Sequence, residues 1–176
     1  MAKLKYVAVF ADCGDTSHLA DYRQAGLVIG RHGAHLYCLA RDGQWPRALV
    51  ESALAAGGLV TVATGPTERP LSVPQGVTVI TEASEALAAR AIVAASQVVV
   101  GLPAGIETVS ALYGAWSASG GAAGGRPVGL LNRNRAYEVV RGFANDVAAV
   151  GRGNVESLIQ ISDNFDDLWG RLTRLV

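Results

Sequence analysis

Short β-branched runs alternate with longer Ala- and Leu-rich segments along the chain. That alternation is the pattern of repeated βα units, in which each helix carries the chain back so that the next strand joins in parallel. The spacing predicts strands over 6–11, 34–39, 59–63, 77–80, 97–102, 127–131 and 158–161. It predicts helices over about 17–31, 45–56, 84–95, 108–119, 137–150 and 163–172. Gly33 and the Gly57-Gly58 pair mark helix ends, Pro46 suits a first helical turn, and Asp163 is a candidate N-cap. Residues 65–76 hold Pro66, Pro70 and Pro74, which excludes a central strand or a helix there and leaves a surface connection. The run Val98-Val99-Val100 lacks alternation, as expected of a strand buried on both faces at the centre of a parallel sheet. Residues 119–125 form a Gly- and Ala-rich loop. The expected fold is therefore α/β, a doubly wound, Rossmann-like parallel sheet with helices on both faces, in one domain spanning 1–176.

Composition narrows the function classes. The 176 residues suffice for one domain with a sizeable core, and half are hydrophobic, against 17% charged. Fifteen basic and fifteen acidic residues cancel, and lysine occurs only at Lys3 and Lys5. A nucleic-acid partner needs a concentrated positive face, so none is expected. Apolar stretches are far too short for a membrane span, and Met1 to Lys5 lead straight into a strand, which predicts no signal peptide. Cys13 and Cys38 make no disulfide framework, and a cytoplasmic location is the default.

Ligands of doubly wound sheets sit at the carboxyl ends of the strands, near a switch in strand order. Three loops qualify. The first is Asp12-Cys13-Gly14-Asp15-Thr16, whose small polar residues allow close approach to a ligand, or which is a turn with Thr16 or Ser17 as the helix cap. The second is Arg41-Asp42-Gly43-Gln44, in which Arg41 and Asp42 could pair with each other in solvent. Neither carries a Gly-x-Gly-x-x-Gly fingerprint, which disfavours hydride transfer with a dinucleotide cofactor; no cofactor is expected. The third is Pro103-Ala104-Gly105-Ile106-Glu107-Thr108, where a buried strand turns into a helix. Backbone N–H groups from Gly105 to Thr108 would leave that helix N-terminus pointing into the crevice, a natural seat for phosphate.

Over nearly its full length the chain resembles the LONELY GUY (LOG) family, also labelled "possible lysine decarboxylase". The stretches that carry the likeness are Val7-Ala8-Val9-Phe10, Ala53 to Gly58, Ser96 to Thr108, Arg126 to Asn132 and Gly142-Phe143. The resemblance implies a homodimer and cleavage of the N-glycosidic bond of a nucleoside 5′-monophosphate. The family motif Pro-Gly-Gly-x-Gly-Thr-x-x-Glu falls on Pro103 to Ala111. Pro103, Gly105 and Thr108 agree; Ala104 and Glu107 replace glycines, and Ala111 stands where the family has its catalytic glutamate. A glycine-rich stretch after the second strand becomes Leu39-Ala40-Arg41-Asp42-Gly43, and the motif arginine has its counterpart in Arg90, about two positions late.

These departures predict a LOG-like protein that binds a nucleotide or sugar phosphate without the family's chemistry. Asp12, Cys13, Gly14, Arg41, Gly43, Arg90, Pro103, Ala104, Gly105, Ile106 and Thr108 are its candidate binding residues. The alternative is an active phosphoribohydrolase in which Glu107 replaces the missing carboxylate. A partner-binding protein with no ligand is the third reading. His18, His32 and His35 lack metal-ligand spacing, so no metal is expected. Cys13 is the candidate nucleophile at the crevice but has no evident base. Trp45, Trp116 and Trp169 are read as helical core or interface residues. Arg133 and Arg135 could bind an anion or simply face solvent, and Tyr113 with Trp116 would suit a dimer surface.

Overall fold

In the computed structural model, which describes residues 3–119, 126–138, 140–141 and 159–176, seven parallel strands form one sheet in the order β4-β3-β2-β1-β5-β6-β7. The strands are β1 Tyr6–Phe10, β2 His35–Ala40, β3 Leu59–Thr64, β4 Val77–Thr81, β5 Val98–Gly101, β6 Val128–Leu131 and β7 Ile159–Ser162. The helices are α1 Leu19–Arg31, α2 Arg47–Ala55, α3 Glu85–Ala94, α4 Ile106–Ala118 and α5 Phe165–Thr173. This is a single-domain, Rossmann-like α/β fold, as the alternation of segments predicts. The expected glycine-rich loop, most of the helix expected over 137–150, Leu158 and the Gly142-Phe143 pair lie outside the described residues.

Strand alternation divides the core into two layers. On β1, Val7 and Val9 face one layer, while Ala8 and Phe10 face the other. The first layer holds Tyr22 and Ile29 of α1, Leu49 and Val50 of α2, and Leu168, Trp169 and Leu172 of α5. The second holds Ala88, Ala89, Ile92 and Val93 of α3 with Leu112 and Ala115 of α4. All three residues of the Val98 to Val100 run are fully buried, and they split between the two layers. The strand order reverses between β1 and β5, so the loops after these two strands diverge to opposite faces and leave a crevice.

Several helix starts differ from expectation. Neither Thr16 nor Ser17 caps α1; the Thr16 Oγ1 instead accepts from the His18 N–H at 3.2 Å, and His18 precedes the helix without a side-chain cap. Pro46 lies just outside α2, and Trp45 precedes that helix, donating its Nε1–H to the Ser72 carbonyl at 2.9 Å. The cap of α5 is Asn164, whose Oδ1 accepts from the Asp167 N–H at 3.0 Å, one residue beyond Asp163. Helix α4 begins at Ile106, two residues earlier than the spacing predicts.

Candidate functional site

The crevice encloses about 1090 Å³ at the carboxyl ends of β1 and β2, and it runs outward between α3 and α4. Asp12, Cys13, Arg41, Arg90, Gly105, Ile106, Glu107 and Thr108 all line it. Gly14, Gly43, Pro103 and Ala104 are not among its lining residues.

Of these, Gly43 and Pro103 act through the residues around the crevice. Arg41 and Gln44 exchange backbone hydrogen bonds at 2.9 Å, closing a two-residue turn in which Asp42 and Gly43 have φ of 51° and 74°. Both residues are left-handed, a geometry that suits Asp and Gly. A Cβ on Gly43 would also stand 2.9 Å from the Cβ of Arg69, which belongs to the proline-rich connection. Pro103 offers its carbonyl to the Tyr22 hydroxyl at 2.8 Å, and the same phenol accepts from the Asp12 N–H at 2.8 Å. From the opposite face of the sheet, the Tyr137 hydroxyl donates to the Leu102 carbonyl at 2.5 Å. Two buried phenols thus hold consecutive carbonyls at the end of β5, one from each core layer. Burial pushes the Tyr22 phenol up to about 12 and raises that of Tyr137 as well.

A side chain of the protein takes part of the expected phosphate seat at the start of α4. The Gly105 N–H donates to both oxygens of the Asp12 carboxylate, at 3.1 and 3.0 Å, and the Thr108 hydroxyl donates to Oδ1 at 2.6 Å. Asp12 therefore holds the residue before α4 and a hydroxyl of its first turn from across the reversal of strand order, accepting one of the four N–H groups from Gly105 to Thr108. An acceptor from a distant loop leaves no local pattern to read in the sequence. The carboxylate also places negative charge where the helix dipole favours an anion.

Arg41 does not pair with Asp42. Its guanidinium reaches across the crevice mouth, with NH1 2.8 Å from the Glu107 carboxylate and Nε 3.4 Å from Glu85. Glu85 and Glu107 belong to the first turns of α3 and α4, so one arginine links two helix N-termini. The Glu107 side chain is 79% exposed. Ala111, one turn further along α4, presents no carboxylate to the crevice it lines. Arg69 and Arg90 also line the crevice and form no ion pair among the described residues.

Other candidate residues serve the framework. The Cys13 Sγ–H donates to the Leu39 carbonyl at 3.3 Å, and burial pushes its thiol up to about 11 despite the nearby Arg41 cation. It is held as the thiol rather than the nucleophilic thiolate. His35 bonds the Thr61 hydroxyl at 2.7 Å and stacks on Tyr37, while His32 stacks on Trp169; burial lowers the His35 pKa. Among the described residues no cluster of His, Cys, Asp or Glu could hold a metal. Arg133 pairs with Asp21 at 3.3 Å, away from the crevice. Trp116 turns inward, donating to the Arg126 carbonyl, whereas Tyr113 is exposed.

Glu85 and the two phenols escape sequence reasoning. Tyr22 and Tyr137 sit in helical or loop contexts that give no sign of their partners. Glu85 matches an ordinary first-turn acid behind the Ser84 cap, whose Oγ accepts from the Leu87 N–H.

By sequence the chain matches no family model and no curated protein. Its fold, however, is shared with solved structures. The molybdenum cofactor carrier protein of Chlamydomonas reinhardtii aligns with a TM-score of 0.69 at 18% identity, covering 98% of each chain. The molybdenum cofactor binding protein of the phototrophic bacterium Rippkaea orientalis aligns at 0.66 and 19% identity, over 95% of this chain and 94% of that one. DNA processing protein A of Helicobacter pylori, which binds single-stranded DNA, aligns at 0.60 and 12% identity, over 98% and 81% respectively. At such identities the likeness is one of fold, and the fold hosts more than one kind of ligand.

Proposed function

We propose that this chain binds a small phosphorylated organic molecule, of the nucleotide or sugar-phosphate kind, in the crevice between α3 and α4, without cleaving an N-glycosidic bond. The observation that carries this reading is the pairing of an intact crevice of about 1090 Å³ with Ala111 on its wall, where LOG-like chemistry needs a glutamate. A pocket of that size takes a nucleotide-sized ligand. Glu107 is a poor substitute: it lies one turn before Ala111, is exposed, and is engaged by Arg41. Asp12 brings negative charge to the helix seat and Arg41 is ion-paired, so Arg90 and Arg69 are the cations left to meet a phosphate. The Rossmann-like fold is consistent with a LOG-like origin, and two structural neighbours whose names denote binding or carrying a small molecule support a binding role.

A thermal-shift panel of AMP, ADP-ribose and ribose 5-phosphate tests this reading, because a ligand that binds only the folded state raises its melting temperature. At least one member is expected to raise it by several degrees, the Arg90→Ala variant to lose most of that rise, and AMP to release no free adenine. No shift with any member would overturn binding of this ligand class. Adenine release that vanishes in Glu107→Gln would overturn the loss of chemistry.

A further inference from the structure

We infer that Arg41, Glu85 and Glu107 form a clasp across the crevice mouth, in which the two glutamates set anion affinity by competing for the Arg41 guanidinium. The inference deepens the reading of the crevice as a phosphate-ligand site and rests on it for the natural ligand.

The clasp joins the end of β2 to the first turns of α3 and α4 over the opening of the crevice. Of its three side chains, Arg41 is the most sheltered, 30% exposed, against 55% for Glu85 and 79% for Glu107. Glutamates so exposed are well hydrated, and such pairs contribute little to stability. Their effect falls instead on the arginine. A guanidinium carries one positive charge and five planar N–H donors, and here two carboxylates already engage its Nε and one terminal nitrogen. The crevice as a whole is lined by five carboxylates, those of Asp12, Asp15, Asp42, Glu85 and Glu107, against the guanidinium groups of Arg41, Arg69 and Arg90. An arriving phosphate therefore meets the Asp12 carboxylate beside the helix N-terminus and an arginine whose charge two carboxylates already balance. It pairs with Arg41 against the competition of Glu107 and Glu85, so the glutamates discriminate among ligands by anionic strength.

Inorganic pyrophosphate is a suitable probe because it contacts cations without needing the rest of a ligand. Its binding is to be measured by isothermal titration to the wild-type chain and to Glu85→Gln/Glu107→Gln, with circular dichroism and melting to confirm folding. The double variant is expected to bind at least tenfold more tightly, and addition of Arg41→Ala to it should abolish the gain. Asp15→Asn/Asp42→Asn removes the same charge from the crevice lining without touching Arg41, and is expected to gain less than threefold. Equal affinity in the wild type and the glutamate double variant overturns the clasp. So does a gain that survives Arg41→Ala, or one that the aspartate variant matches. The organic-ligand panel fails or succeeds separately: a clasp confirmed with pyrophosphate beside an empty panel would reject the ligand class while leaving the anion device standing.

Discussion

The two faces of the sheet are built to different standards of closeness. On one face, α1 and α2 meet through Gly26 and Gly30, and a Cβ on Gly30 would stand 2.6 Å from the Ala53 carbonyl oxygen and 2.7 Å from the Ala56 Cβ. Large side chains, including Tyr22, Leu49, Trp169 and Leu172, fill the layer beneath. On the other face, α3 and α4 present alanines, and the space around Gly114 of α4 is open, with no atom within 4 Å of a would-be Cβ. The closed face supplies a rigid frame; the open face leaves room for the crevice. The polar devices that shape the crevice, Asp12 on α4 and Arg41 between α3 and α4, lie where the small residues leave space between the elements.

Breaking the closed face should have the largest effect. Gly30→Leu forces α1 and α2 apart, and such overpacking against backbone is expected to cost about 3 kcal/mol, read as a lower midpoint in urea unfolding. A cost under about 1 kcal/mol would show that this helix pair yields as the open face does. At the junction of the two regions, Cys13 sharpens the contrast chemically. With its thiol pushed up to about 11 from an ordinary 9.0, alkylation by iodoacetamide at pH 8 should run roughly 100-fold slower than in the urea-unfolded chain. The sign for stability follows from the same shift. Below pH 9 the thiol is neutral in both states, and from pH 9 to about 11 the unfolded state ionises first, so stability falls as pH rises through that window. A flat urea midpoint from pH 8 to 11 would contradict this. The smallest effect belongs to the open face: Gly114→Ala adds a methyl group to a helix interior where nothing opposes it, and is expected to stabilise by about 0.5–1 kcal/mol. A loss of stability there would mean that another surface covers this part of α4.

Legibility in the sequence tracked how local each interaction is. The Val98 to Val100 strand was plain because burial on both faces removes the alternation within a few residues. The three-proline connection was visible for the same reason, since a missing N–H group and a fixed φ are properties of single residues. Helix starts were less so: Asn164 rather than Asp163 takes the cap because only its side chain reaches the Asp167 N–H. The crevice was located from strand order, but its electrostatics were misread. Arg41 beside Asp42 suggested a local pair, and a turn puts the two side chains on different paths; Arg41 meets Glu85 and Glu107 instead.

The sequence by itself determined a doubly wound parallel sheet and the position of the turn at Pro103, because periodicity, prolines and glycines act over one or two turns of chain. It also determined that Ala111 brings no carboxylate, since residue identity needs no fold. Only the tertiary structure decided that Asp12 binds Gly105 and Thr108 at the start of α4 and that Arg41 is shared by two glutamates. Those contacts join residues tens of positions apart, across a reversal of strand order. Their partners are chosen by where the sheet delivers them, a choice that no local pattern encodes.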